Sequence, residues 1–101
     1  MSKVAVIAKI PAQEGKRADL ARALQTALDT AQSEPGTETY ILLEDASDAN
    51  LLWMFEMYTD QEALTVHMGS EAFKALGPAI MPFLAGRPEL IFVSPVGGKG
   101  A

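Results

Sequence analysis

The sequence predicts an α+β domain in which helices cover one side of a single antiparallel sheet. Three observations predict it. Four short runs are rich in β-branched or aromatic residues, and two longer stretches carry apolar residues at helical spacing. These segments follow one another as β-α-β-β-α-β, the order of a split βαβ arrangement. The chain has 101 residues, which fits one domain spanning 1–101, with a glycine-rich tail over about 96–101 expected to be flexible.

The first strand is read over Lys3–Ile10, ended by Pro11, and Pro11–Gly15 forms a turn. From Lys16 to Ser33 the apolar residues Leu20, Ala23, Leu24, Ala27, Leu28 and Ala31 line one helical face, with Arg17, Asp19, Arg22 and Asp29 off it. Glu34-Pro35-Gly36 ends this helix, because proline disfavours helical geometry in the residue before it. Thr37–Glu44 and Leu51–Tyr58 are the second and third strands, joined by a polar turn. Thr59-Asp60-Gln61-Glu62 has the spacing of a capping box, with Thr59 as the cap, for a short helix over about Asp60–Met68. Gly69 ends that helix, and Ser70 can cap the next one, which carries Phe73, Leu76, Ile80 and Phe83. Pro78 is expected to kink this helix or split it in two, since it lacks the amide that bonds back one turn. Ala85–Pro88 is a turn, and Glu89–Pro95 is the last strand. The whole is a ferredoxin-like fold.

Composition narrows the function. Thirteen acidic residues against eight basic ones leave a net charge of −5, which excludes a general nucleic-acid binder and a polybasic membrane-surface module. With no cysteine there is no disulfide, thiolate chemistry or cysteine-held metal, and the single histidine, His67, does not promote a metal site. No glycine-rich phosphate loop and no Gly-x-Ser-x-Gly elbow occurs, so no cofactor is expected. No run is long and apolar enough to span a membrane. Met1-Ser2-Lys3-Val4 leads into the first strand without a signal-peptide core, and a soluble cytoplasmic protein is expected.

The strands carry a further message. A sheet with one wet face alternates apolar and polar residues. In Leu51–Tyr58 only Glu56 is charged, and Tyr40-Ile41-Leu42-Leu43 is apolar on both faces. Helices cover one face, so the other is expected to pack against the same face of a second copy, a homodimer. Trp53, of opposite parity to Glu56, is placed in that interface, and Tyr40 is assigned there as well.

Several stretches resemble the antibiotic biosynthesis monooxygenase family. They are Val6–Ile10, Glu34-Pro35-Gly36-Thr37 with Tyr40, the run Phe55–Leu64, and then His67, Ser70, Phe73 and Lys74. The resemblance spans about Val4–Pro95. It implies a homodimeric α/β barrel with a cleft between each sheet and its own helices. It also implies, for some members, oxygenation of anthrones or quinols by O2 without metal or flavin. There a phenol loses its proton and the resulting anion itself reduces oxygen. One anthrone-oxygenase type carries Asn and Trp on the third strand and Tyr on the next helix, where this chain has Met54, Tyr58 and Leu64. Haem-degrading relatives carry Asn, Trp and a His ligand where this chain has Ala8, His67 and Gly77, so haem degradation is not expected. Relatives also include an isomerase.

The candidate catalytic residues are therefore His67, Tyr58 and Glu56. His67, whose ordinary pKa lies near neutrality, is either a base or donor to a substrate oxygen, or a helix-end histidine bonded to a backbone carbonyl or to Glu56. Glu56, a lone charge in an apolar strand, either orients His67, acts as base itself, or is a structural acceptor for the following helix. Tyr58 shares a sheet face with Glu56 and can bind a substrate oxygen or simply close the strand. Met54, Leu64, Met68, Phe73 and Ile80 are the expected substrate-binding wall. Lys74 and Arg87 could hold an anionic substrate or be plain solvated cations. The expected activity is monooxygenation of a small phenolic, quinol or polyketide-type aromatic. The alternatives are a dimer that only binds a small hydrophobic molecule, or a non-oxidative isomerase.

Overall fold

The computed structural model describes residues 2–101; Met1 lies outside them. Strand β1 (Val4–Pro11) leads to helices α1 (Arg17–Ala23) and α2 (Gln25–Gln32). Strands β2 (Thr37–Glu44) and β3 (Leu51–Tyr58) follow, then helices α3 (Gln61–Gly69) and α4 (Glu71–Ile80). A 3-10 turn over Met81–Phe83 and strand β4 (Glu89–Val93) complete the fold. The sheet runs β2-β3-β1-β4, and every neighbouring pair is antiparallel. This is the expected α+β ferredoxin-like topology. The sheet is open at β2 and β4, so the single chain does not close a barrel. Among the described residues no helix is long and apolar enough to cross a membrane.

Three local expectations are corrected. The first helix is two segments, because Leu24 relaxes to φ −80° and ψ −9° between them. Arg17 ties α1 to the β2–β3 turn through the carbonyls of Asp45 and Asp48, while α2 lies against β2. No proline or glycine marks this break. The α3 cap is Asp60, not Thr59: Asp60 Oδ1 accepts from the Ala63 amide at 2.8 Å. A carboxylate is favoured over a hydroxyl at the positive end of a helix. The Thr59 amide instead donates to the Gly36 carbonyl, which extends the strand pairing. Pro78 does not split α4 in two; the helix continues to Ile80 and tightens into the 3-10 turn. Pro78 sits in the last turn, where a missing amide removes one bond, and burial of Ile80 holds the turn in place. Ser70 caps α4 as expected, its Oγ accepting from the Phe73 amide.

Strand alternation sorts the core. Leu52 and Met54 of β3, with Ala8 and Ile10 of β1, point toward the helices and pack on Leu20, Leu24 and Ile80. Val6, Tyr58 and Leu64 form a second, smaller cluster under α3. Gly36 permits the close approach there, since a Cβ at that position would lie 2.5 Å from Ala63 Cβ. That contact draws the α2–β2 loop, with Glu34, against α3.

Candidate functional site

Glu56 stands in the middle of the sheet, paired with Tyr40 on β2 and Val6 on β1. A register shift between Thr37 and Thr39 sets β2 so that Tyr40 turns toward the helices. Tyr40 therefore belongs to the covered face and not to the outer one to which the sequence assigned it.

Between this face and α4 lies a cavity of about 480 Å³, within the range of small-molecule sites. Ala8, Ile10, Leu24, Met54, Met68, Phe73, Leu76, Ile80 and Leu90 make its wall apolar. Its polar groups are few: Tyr40, Glu56 and, on α4, Lys74. Of the expected substrate-binding residues, Met54, Met68, Phe73 and Ile80 line this cavity. Leu64 packs with Val6 and Tyr58 instead. Gly77 also lines it, and a Cβ added there would meet no neighbouring atom within 4 Å.

The three candidate catalytic side chains lie close together but in different places. Glu56 reaches the cavity wall. Tyr58, fully buried behind it, donates its hydroxyl to Glu56 Oε1 at 2.6 Å. His67, in the last turn of α3, is buried against Tyr40, Tyr58 and Phe73, with ring centroids 5.3–5.4 Å apart. It is outside the cavity wall proper. Its Nδ1 bonds neither a backbone carbonyl nor Glu56 but Glu34 Oε1, at 2.9 Å.

Electrostatics separates the roles. Burial raises the Glu56 pKa above the usual carboxylate value; the Tyr58 hydroxyl opposes the rise, as His67 does when its ring is charged, and Glu34 adds to it. Burial likewise pushes the Tyr58 phenol well above its ordinary value, reinforced by its bond to Glu56. Tyr40 moves the same way, through burial and then the carboxylates of Glu56 and Glu34. Both phenols thus stay protonated, with Tyr58 donating to Glu56, and Glu56 is the group on the cavity wall that can take up a proton. Among the described residues, no three His, Asp or Glu side chains gather as a metal site.

The family model for antibiotic biosynthesis monooxygenases matches residues 3–78. The chain belongs to that family. Solved relatives share its fold across almost their whole length. Rv0793 from Mycobacterium tuberculosis is 28% identical with a TM-score of 0.87, covering 97% of this chain and 99% of its own. A Caulobacter crescentus protein placed in the same family is 29% identical with a TM-score of 0.86, covering 95% and 92%. PA3566 from Pseudomonas aeruginosa is 25% identical with a TM-score of 0.85, covering 96% and 97%. No curated protein sequence matches the chain at a significant level.

Sequence reasoning missed two members of the site. Tyr40 was hidden by the irregular register of β2. Glu34 reads in the sequence only as part of a helix stop, although it falls within one of the segments that carry the family resemblance.

Proposed function

We propose that this member of the family is a cofactor-independent monooxygenase acting on a small phenolic, quinol-like or polyketide-type aromatic. The observation that carries the reading is a single buried carboxyl, Glu56, held by Tyr58 on the wall of a mostly apolar cavity. An aromatic ring of two or three fused rings suits a space of this size and lining. Glu56 takes the proton whose loss makes the substrate electron-rich. Tyr40, a phenol that keeps its proton, donates to the oxygen on which the negative charge gathers. The anion then reduces O2. For an anthrone-like CH2, the carbon loses two hydrogens and gains one oxygen atom, and the second oxygen leaves as water. All four electrons come from the substrate, so the balance needs no further reductant. A dry wall keeps the anion from being quenched by solvent protons.

The open sheet face supports a second part of the reading, that two copies pack through it. Ile41, Leu43, Ile91 and Val93 are partly exposed there beside Trp53 and Phe55. A patch of this character is what an interface covers.

Oxygen consumption with a panel of hydroquinones and anthrones, in metal-free buffer, tests the activity. Uptake above background should fall at least tenfold in Glu56→Gln and in His67→Ala, about 1.4 kcal/mol of lost transition-state stabilisation. Gly77→Leu, which adds bulk to a residue that lines the cavity, should lower uptake while leaving the fold intact, since a Cβ there meets no neighbouring atom within 4 Å. Thermal stabilisation by the same compounds without oxygen uptake overturns the monooxygenase in favour of a binding protein. A product of unchanged mass, formed without oxygen, overturns it in favour of an isomerase.

A further inference from the structure

We infer that Glu34 is a positioning residue that holds His67 in the tautomer with its proton on Nδ1, leaving Nε2 as a bare proton acceptor inside the protein. Glu34 Oε1 is engaged twice: by His67 Nδ1 at 2.9 Å and by the Thr37 hydroxyl at 3.0 Å. A carboxylate oxygen only accepts, so the imidazole must donate from Nδ1. The other ring nitrogen, Nε2, is buried and has no partner among the described residues. A proton there would be an orphaned buried donor, and leaving such a donor unpaired is costly. The bare lone pair is the cheaper state, and the Glu34 bond is what selects it.

The surroundings keep the ring where this matters. Tyr40, Tyr58 and Phe73 pack around it, and Tyr58 hands its hydroxyl to Glu56. Glu34 comes from the α2–β2 loop, which the Gly36–Ala63 approach clamps onto α3. His67 and Glu34 also line an outer groove together with Asp60 and Glu62, on the water-facing side of α3. The inference deepens the monooxygenase reading, on which its catalytic meaning rests, by adding a second proton acceptor packed against Tyr58, the residue that holds Glu56. The tautomer itself follows from contacts that hold whatever the reaction is.

His67 is the chain's one histidine, so a long-range proton–nitrogen correlation spectrum of the 15N-labelled full chain reports this ring alone. At neutral pH, wild type should show Nδ1 protonated and Nε2 not. Glu34→Gln keeps an acceptor oxygen and should keep the tautomer. Glu34→Leu should lower the ratio of Nδ1–H to Nε2–H at least tenfold. A proton on Nε2 in wild type, in the neutral or the cationic ring, overturns the inference, and so does an unchanged ratio in Glu34→Leu. If Glu34→Leu does not fold, the wild-type spectrum alone still decides. No substrate is needed, so a correct tautomer without oxygen uptake removes the monooxygenase reading only. Oxygen uptake with a protonated Nε2 removes the Glu34 inference only.

Discussion

The two faces of this sheet invert the ordinary rule. In a half-buried strand the polar residues look outward. Here the face covered by helices carries the only charge of β3, Glu56, with Tyr58 bonded to it. The face without helices carries Trp53, Phe55 and Met57, flanked by Ile41 and Leu43 on β2 and Ile91 and Val93 on β4. Its polar relief is slight: Trp53 Nε1 donates to Asp45 at 2.8 Å, and Lys9 Nζ lies 5.9 Å above the Trp53 ring. In the proposed function, the polar group kept inside at a desolvation cost serves the site, and the apolar groups left outside serve a contact. On that reading the alternation of one strand divides the molecule into a part that handles a small molecule and a part that meets another surface.

The largest effect should come from the covered face. Leu52 is completely buried between the sheet and α1. Leu52→Ala should cost about 2–5 kcal/mol, the range for large-to-small changes in a close-packed core. Urea unfolding should give the same loss at every protein concentration, because every contact removed lies within one chain. A loss that varied with concentration would mean that the two faces are not energetically separate.

The next effect sharpens the same face. A Glu56 whose folded pKa exceeds its unfolded value binds more protons in the folded state than in the unfolded one. Its favourable contribution is therefore complete below about pH 4.5, the ordinary value, and is lost as pH rises through the folded pKa. Across that window stability should fall with a slope approaching about 1.4 kcal/mol per pH unit. Glu56→Gln still accepts from Tyr58 but does not titrate, so its profile should be flatter there. Tyr58→Phe removes a hydrogen bond that opposes the rise, so it should extend the window to higher pH. Unfolding curves taken at a series of pH values measure both, and identical slopes in wild type and Glu56→Gln would refute the assignment.

How much of this could be read in the sequence depends on how local the cause is. Strands β2 and β3 run over the expected residues, because their bounds are set by Pro35-Gly36, the polar turn and Thr59-Asp60. The pairing of Glu56 with Tyr58 on one face follows from the period of a strand. The bend at Leu24 and the persistence of helix past Pro78 depend on what packs against them, and no nearby residue signals either. Tyr40 and Glu34 were lost for a related reason. Each meets the site across the fold, one through a shifted register and the other through a loop drawn in by Gly36.

The smallest effect on a single chain tests the other face. Ile41 is 49% exposed and Leu43 46% exposed. Replacing both with lysine removes little from the folded monomer, and at high dilution should change unfolding free energy by less than about 0.5 kcal/mol for each site. If a second copy covers this face, binding between folded chains adds stability that grows with the logarithm of concentration. Wild-type Tm should then climb as the protein is concentrated from nanomolar to tens of micromolar, and Ile41→Lys/Leu43→Lys should hold one Tm throughout. The buried cluster beneath is untouched, so both proteins should converge at the dilute end. Because the cavity lies between each sheet and its own helices, ligand stabilisation should survive in the double variant. Loss of ligand binding together with the concentration dependence would instead mean that a partner completes the cavity wall, and that the two faces act as one device.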